Sequence, residues 1–190
     1  MLDLKYICKL FSDVRVLNGV RLYLESGLMY TLKGTNGSKK TNLINIISCF
    51  LPAATKGVVE FKGKRIAKFV PYRVNRLGIG RTFQDLRLAT QMTVYENILL
   101  VLKTKLFTCS RKEQEERADE ILTTVYLMEK RNELAGKISY EQRKLLSIWR
   151  YIANHTDLLL IYKSSQVFEF VRTNNSLQLA GNTQNFKKII

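Results

Sequence analysis

The stretch Gly34-Thr35-Asn36-Gly37-Ser38-Lys39-Lys40-Thr41-Asn42 decides how the chain is read. It holds three of the four fixed positions of the phosphate-binding pattern G-x-x-x-x-G-K-[ST]: the first glycine at Gly34, the lysine at Lys40 and the hydroxyl at Thr41. Lys39 stands at the second glycine, where a side chain removes the backbone freedom that glycine supplies, although its charge suits a polyphosphate. Before the loop, a Ser26-Gly27 turn leads into the mostly apolar run Leu28 to Leu32, which reads as a buried strand. After it, Leu43, Ile44, Ile46, Ile47 and Phe50 recur at helical spacing until Pro52 stops the pattern. Strand, glycine loop, helix is the context the motif requires, because loop N–H groups and the helix N-terminus together bind phosphate oxygens without side-chain bulk.

Working outward, Leu2 to Ile7 and Val20 to Leu24 alternate apolar and polar residues as half-buried strands do. Gly57 to Gly63 reads as a short strand closed by a turn, and Gly78 to Gln84 as a strand emerging into a loop. Helical patterns cover Thr93 to Lys105, Arg111 to Lys130 and a segment starting near Ser139 that runs through Trp149 and Ile152. Ser110 with Glu113 has the spacing of a capping box. The apolar run Leu158-Leu159-Leu160-Ile161 suits a strand of a parallel sheet covered on both faces. From Tyr162 the composition turns to Ser, Asn, Gln and Thr, and a weakly ordered tail or irregular cover is expected.

The chain has 190 residues, enough for one domain with its own core or a core plus a small subdomain. Its longest apolar runs are too short to span a bilayer, and Asp3 and Lys5 interrupt any signal-peptide core. Cys8, Cys49 and Cys109 lack metal or disulfide spacing and are expected to be small, buried and reduced. A net charge of +15 admits nucleic acid, anionic lipid or polyphosphate as partners. The basic residues are scattered rather than gathered in one arm, so a solvated Lys-rich surface explains them equally well, and no specific nucleic-acid partner is expected.

Together these segments resemble the nucleotide-binding subunit of an ABC transporter, closest to the branched-chain amino-acid importer ATPases, from Met1 to about Ile161. Lys9-Leu10-Phe11-Ser12-Asp13-Val14 occupies the place of the family's adenine-stacking loop, with Phe11 as the aromatic. The phosphate loop follows. Arg76 to Gln84 resembles the family's LGIARTFQ stretch and places Gln84 as the Q-loop glutamine; Thr93-Val94-Tyr95-Glu96-Asn97-Ile98 resembles TVLENV, which opens the helical subdomain. Ser139-Tyr140-Glu141-Gln142 sits where the signature LSYGQ belongs. The resemblance implies a three-layer α/β P-loop NTPase fold with an N-terminal antiparallel β subdomain. It places the domain over residues 1–161, the helical subdomain at about 85–139, and a divergent tail at 162–190. ATP would be held by Phe11, Gly34, Asn36, Gly37, Ser38, Lys39, Lys40, Thr41, Asn42 and Gln84, with Mg²⁺ on Thr41 and Gln84. The implied partners are a transmembrane permease and a second ATP-binding subunit, and the implied place is the cytoplasmic face of the cell membrane.

The departures from the family fall on its chemistry. Where its apolar strand ends in Asp-Glu, this chain has Tyr162-Lys163; the signature glycine is Glu141, and Asn42 replaces a second hydroxyl. Tyrosine is a poor Mg²⁺ ligand at neutral pH and a charged lysine cannot accept a proton. A lost general base costs about 10²–10⁴ in rate. No D-loop or switch-histidine match occurs in Ser164 to Ile190, and the only histidine, His155, precedes the apolar strand. The expectation is an ATP-binding subunit with hydrolysis impaired and no catalytic residue intact beyond Gln84. The alternative is a non-catalytic interaction module, or a relic, that docks a partner through its helical subdomain.

Overall fold

The computed structural model describes residues 1–12, 14–35, 37–51, 56–83, 85–105, 110–154, 156–164, 167–171 and 186–189. They form two compact units, Met1–Arg81 with Asp157–Ile190, and Thr82–Thr156.

The first unit opens with an antiparallel hairpin of β1 (Leu2–Phe11) and β2 (Val14–Leu24). With β4 (Lys56–Phe61) and the two-residue β5 (Lys64–Arg65) it makes the expected antiparallel sheet, in the order β2-β1-β4-β5. Leu2, Leu4 and Ile7 are all fully buried, which strict alternation forbids. A bulge resolves the conflict: Tyr6 takes φ 56° and the register shifts between Leu4 and Ile7, returning Ile7 to the core side.

The second sheet has the order β6 (Ile79–Arg81), β7 (Leu158–Ser164), β8 (Val167–Val171), β3 (Met29–Lys33), β9 (Phe186–Ile189). β7 is buried from Leu158 to Ile161, as its unbroken apolar run implies. The sheet is mixed rather than parallel. β6 pairs parallel with β7 and β9 parallel with β3, but β8 runs antiparallel to both β7 and β3. It turns back directly after β7, and a parallel return would have needed a crossover of a dozen residues or so. The two strands β8 and β9 fall in the segment whose composition suggested irregular structure. Helix α1 (Lys40–Ile47) buries Leu43, Ile44, Ile46 and Ile47 in a cluster shared with Leu2, Leu4 and Phe61 of the first sheet and Tyr30, Leu32, Leu158 and Leu160 of the second. This layering is the α/β phosphate-loop architecture expected. Helix α2 (Pro71–Arg76) begins with proline at its first position, where the missing N–H is no loss. Cys8 and Cys49 are free and half-buried rather than fully buried; burial pushes the Cys49 thiol up to about 11, and it donates to the Ile66 carbonyl at 3.3 Å. Cys109 lies outside the described residues.

The second unit is helical: α3 (Val94–Lys105), α4 (Arg111–Thr124) and α5 (Tyr140–Ala153) around Val94, Ile98, Leu102, Ala118, Leu122, Leu146 and Trp149. The capping box at α4 forms as spaced, Ser110 Oγ accepting from the Glu113 N–H and Glu113 Oε2 from the Ser110 N–H. α4 ends at Thr124, short of the Lys130 expected. Tyr126 takes φ 57°, which turns the chain so that Val125 and Leu127 are both buried, and only a 3-10 turn, Met128–Lys130, follows.

Candidate functional site: the phosphate loop

β3 delivers the chain to Gly34 and α1 starts at Lys40, so the loop between them is anchored at both ends by buried elements. The Lys40 side chain folds back into the loop. Its ammonium donates to the carbonyls of Gly34 at 2.6 Å and Thr35 at 2.8 Å and to Ser38 Oγ at 2.9 Å, leaving the residue only 7% exposed. Gly34 leaves room for this arrangement, because a Cβ there would lie 2.6 Å from Ser38 Oγ and would turn that hydroxyl away from the ammonium. Gly37 lies in the turn, whose Ser38 N–H donates to the Thr35 carbonyl. Asn36 lies outside the described residues.

Lys39 takes φ 64°, ψ 18°, the left-handed conformation that a glycine would adopt freely. The backbone of the motif is thus kept although its residue is not, and the charged side chain projects into solvent. No side chain caps α1 at Lys39, so the first-turn N–H groups are not spent on a side-chain oxygen. Thr41 is exposed on that turn and Asn42 is half-buried. An L-residue in this conformation costs about 1–2 kcal/mol, partly offset by the ~0.4–1 kcal/mol of unfolded-state entropy that a glycine adds. Lys39→Gly is therefore expected to stabilise the fold by about 0.5–1 kcal/mol in urea unfolding; unchanged or lower stability would mean the loop is not held left-handed at this position.

Phe11 closes β1 beside the hairpin turn, 41% exposed, with Lys9 Nζ 5.4 Å from its ring centroid. It is an open aromatic face with a cation beside it.

In the helical unit, Ser139 and Gln142 make a second capping box, which was not among the caps expected. Ser139 Oγ accepts from the Gln142 N–H at 3.2 Å and Gln142 Oε1 from the Ser139 N–H at 3.0 Å. Both side chains are spent on starting α5, while Tyr140 and Glu141 are exposed. Thr93 and Glu96 cap α3 in the same manner. Asn97 is fully buried; its amide nitrogen donates to the carbonyls of Ala89 at 3.0 Å and Thr93 at 2.9 Å, and its oxygen accepts from the Ala89 N–H at 3.1 Å. Asn97→Ala should therefore cost about 2–4 kcal/mol, since it orphans partly buried backbone groups and leaves a void at a fully buried side chain. A urea midpoint within error of the parent would contradict that bracket role. Gln84 lies outside the described residues. Just after it, the Leu86 carbonyl accepts from Ser147 Oγ and the Arg87 carbonyl from Arg150 Nη1, tying this segment to α5. The Arg87 guanidinium stacks 3.4 Å from the Phe83 ring centroid. No spacing rule points to the Ser147 and Arg150 ties, because each joins a side chain to a backbone group more than sixty residues away.

The sequence pattern of the ABC transporter family matches residues 17–161. The chain belongs to the ABC transporter family. It is 29% identical over 174 residues to the high-affinity branched-chain amino acid transport ATP-binding protein BraF of Pseudomonas aeruginosa, an alignment covering 85% of this chain and 68% of that one. The ATP-binding cassette MJ1267 of an ABC transporter, in its ADP conformation, superposes with a TM-score of 0.72 at 32% identity, covering 84% of this chain and 66% of the other. The dimeric cassette MJ0796 bound to ADP and Pi superposes at 0.71 and 26% identity, covering 85% and 73%.

The ABC transporter family implies ATP and Mg²⁺, and the two fit this chain differently. Phosphate suits the loop: a buried ammonium, a helix start without a side-chain cap and two left-handed residues that turn the backbone around it. Magnesium suits the donors among the described residues poorly. The ion is held by oxygen ligands, usually with one or two carboxylates beside the phosphates. The loop offers the neutral Thr41 hydroxyl, and the residues after the apolar run of β7 are Tyr162 and Lys163. Among the described residues no group of three or more His, Cys, Asp or Glu could hold a metal. Among the acids of the first unit, Asp3 and Glu60 pair with Lys5 and Asp157 with Lys62. Glu169 of β8 stands in register with Thr31, three residues before Gly34, or about 10 Å at the usual strand rise.

Proposed function

We propose that this chain is a nucleotide-binding subunit of an ABC importer of the branched-chain amino-acid type, holding ATP or ADP on the loop from Gly34 to Asn42, with its own hydrolysis impaired. The observation that carries the reading is the left-handed backbone at Lys39 beside the inturned Lys40 ammonium. A turn that wraps its backbone around a phosphate gives a lysine a reason to hold this conformation. Phe11 supplies an aromatic face for the adenine, and the family resemblance gives Gln84 the part of the Q-loop glutamine. Hydrolysis lacks its acid groups at Tyr162 and Lys163, and Glu141 brings a carboxylate to the segment that would meet the γ-phosphate on a second ATP-binding subunit.

The helical unit then serves as the part that docks a permease, with the chain working at the cytoplasmic face of a membrane. No helix of the described residues is long and apolar enough to cross one. Calorimetric titration of the purified chain with ATP and ADP, run beside a phosphate-release assay, tests the reading. Saturable binding with little or no release supports it. Turnover at the rate of an intact cassette would remove the impairment. Absence of binding by a cooperatively folded chain would leave the alternative, an interaction module acting through its helices.

A further inference from the structure

We propose that the loop takes its nucleotide as the metal-free polyphosphate, with the Lys39 cation supplying the charge that a bound magnesium ion would otherwise supply. The inference rests on the nucleotide reading above and concerns which ionic form of the ligand the site selects.

A nucleotide polyphosphate brings several negative charges to one place, and a site must neutralise them to hold it in a partly desolvated loop. The Lys40 ammonium is already seated inside the loop on Gly34 O, Thr35 O and Ser38 Oγ. Lys39 adds a second cation at the adjoining position, exposed at the N-terminal end of α1, where the helix dipole adds positive potential. At the end of the apolar run of β7 the chain carries a neutral tyrosine and another lysine in place of acids. At the phosphate loop and after the apolar run of β7, these changes share one sign. Lys39 adds positive charge beside the phosphates, and the sequence has no acid at positions 162 and 163 that would make a divalent ion welcome, so magnesium would be poorly held. The left-handed backbone allows this exchange, because it keeps the loop's path while a lysine replaces a glycine.

The test is ATP titration of the full chain in excess EDTA and in excess Mg²⁺, for the parent, Lys39→Gly, Lys39→Asn and Lys39→Arg. Asparagine tolerates the left-handed conformation without the charge, and arginine keeps the charge. Expected are an affinity in EDTA equal to or higher than that in Mg²⁺, and a loss of about tenfold in EDTA for the Gly and Asn variants, the scale of one charge near the phosphates. Lys39→Arg should bind as the parent does, and added salt should weaken metal-free binding. Binding at least tenfold tighter with Mg²⁺, or EDTA affinities unmoved by Lys39→Gly and Lys39→Asn, overturns the inference while leaving the nucleotide reading intact. No binding in either condition removes both.

Discussion

Lys40→Ala is expected to weaken ATP and ADP binding by at least about 100-fold, below what calorimetry detects, while leaving the folded chain nearly as stable as before. Hydrogen bonds to a charged group contribute roughly 1.5–3 kcal/mol each, and a phosphate would receive more than one from this ammonium. The substitution also removes the three bonds that hold the loop around its centre, to Gly34 O, Thr35 O and Ser38 Oγ. Binding would then have to meet the cost of ordering the loop as well. Stability should change little, because Thr35 and Ser38 are exposed and Gly34 is half-exposed, so water can take up the released groups. An affinity reduced less than threefold would mean that nucleotide, if it binds, is held somewhere other than this loop.

Gly57→Ala is expected to be the most damaging single-methyl change, costing about 3–5 kcal/mol and lowering the melting temperature by about 10 °C or more. Gly57 of β4 lies against the bulge of β1, with φ +104°. A Cβ there would overlap the Tyr6 carbonyl oxygen and sit 2.7 Å from that of Lys5 and 2.8 Å from the Tyr6 carbonyl carbon. Every one of these is a backbone atom, so no side chain can swing away, and relief requires the bulge that points Ile7 inward to shift. Gly63→Ala is the control, because Gly63 also has positive φ but a methyl added there would meet nothing within 4 Å. It should lose only the conformational cost of about 1–2 kcal/mol. Equal losses for the two would show that the bulge does not press on β4.

The strands and helices that build the fold were legible where burial writes a period into the sequence. β7 announced itself by four consecutive apolar residues, and α3 and α5 by their helical spacing. What escaped was set by single backbone angles and by partners distant in sequence. Tyr126, with φ 57°, ended α4 in a segment whose apolar residues still fitted a helix. The proline signal at Pro71 was readable as a helix start and marks α2. β8 shows apolar residues on both sides of Glu169, a short pattern masked by the polar composition around it. At the loop, the motif placed Gly34, Lys40 and Thr41, but nothing in a sequence says that a lysine will accept the angle of the glycine it replaces. The Ser139 and Gln142 pair was read through family resemblance, when its spacing alone specified a capping box.

The place of β3 in its sheet bears on how the chain is assembled over time. Its two neighbours are β8 and β9: Tyr30 pairs with Phe170 on one side and with Lys187 on the other. The strand that carries the phosphate loop is made well before either of the segments that pair with its edges. Pairings of such long sequence separation form slowly, and until they form the apolar residues Tyr30 and Leu32 have bare edges on either side. During synthesis the antiparallel hairpin and the helical unit can be complete while the nucleotide loop still lacks its frame. Ribosome-bound chains should therefore gain nucleotide binding only after residue 189 has emerged, with these apolar edges open to aggregation in the interval before it.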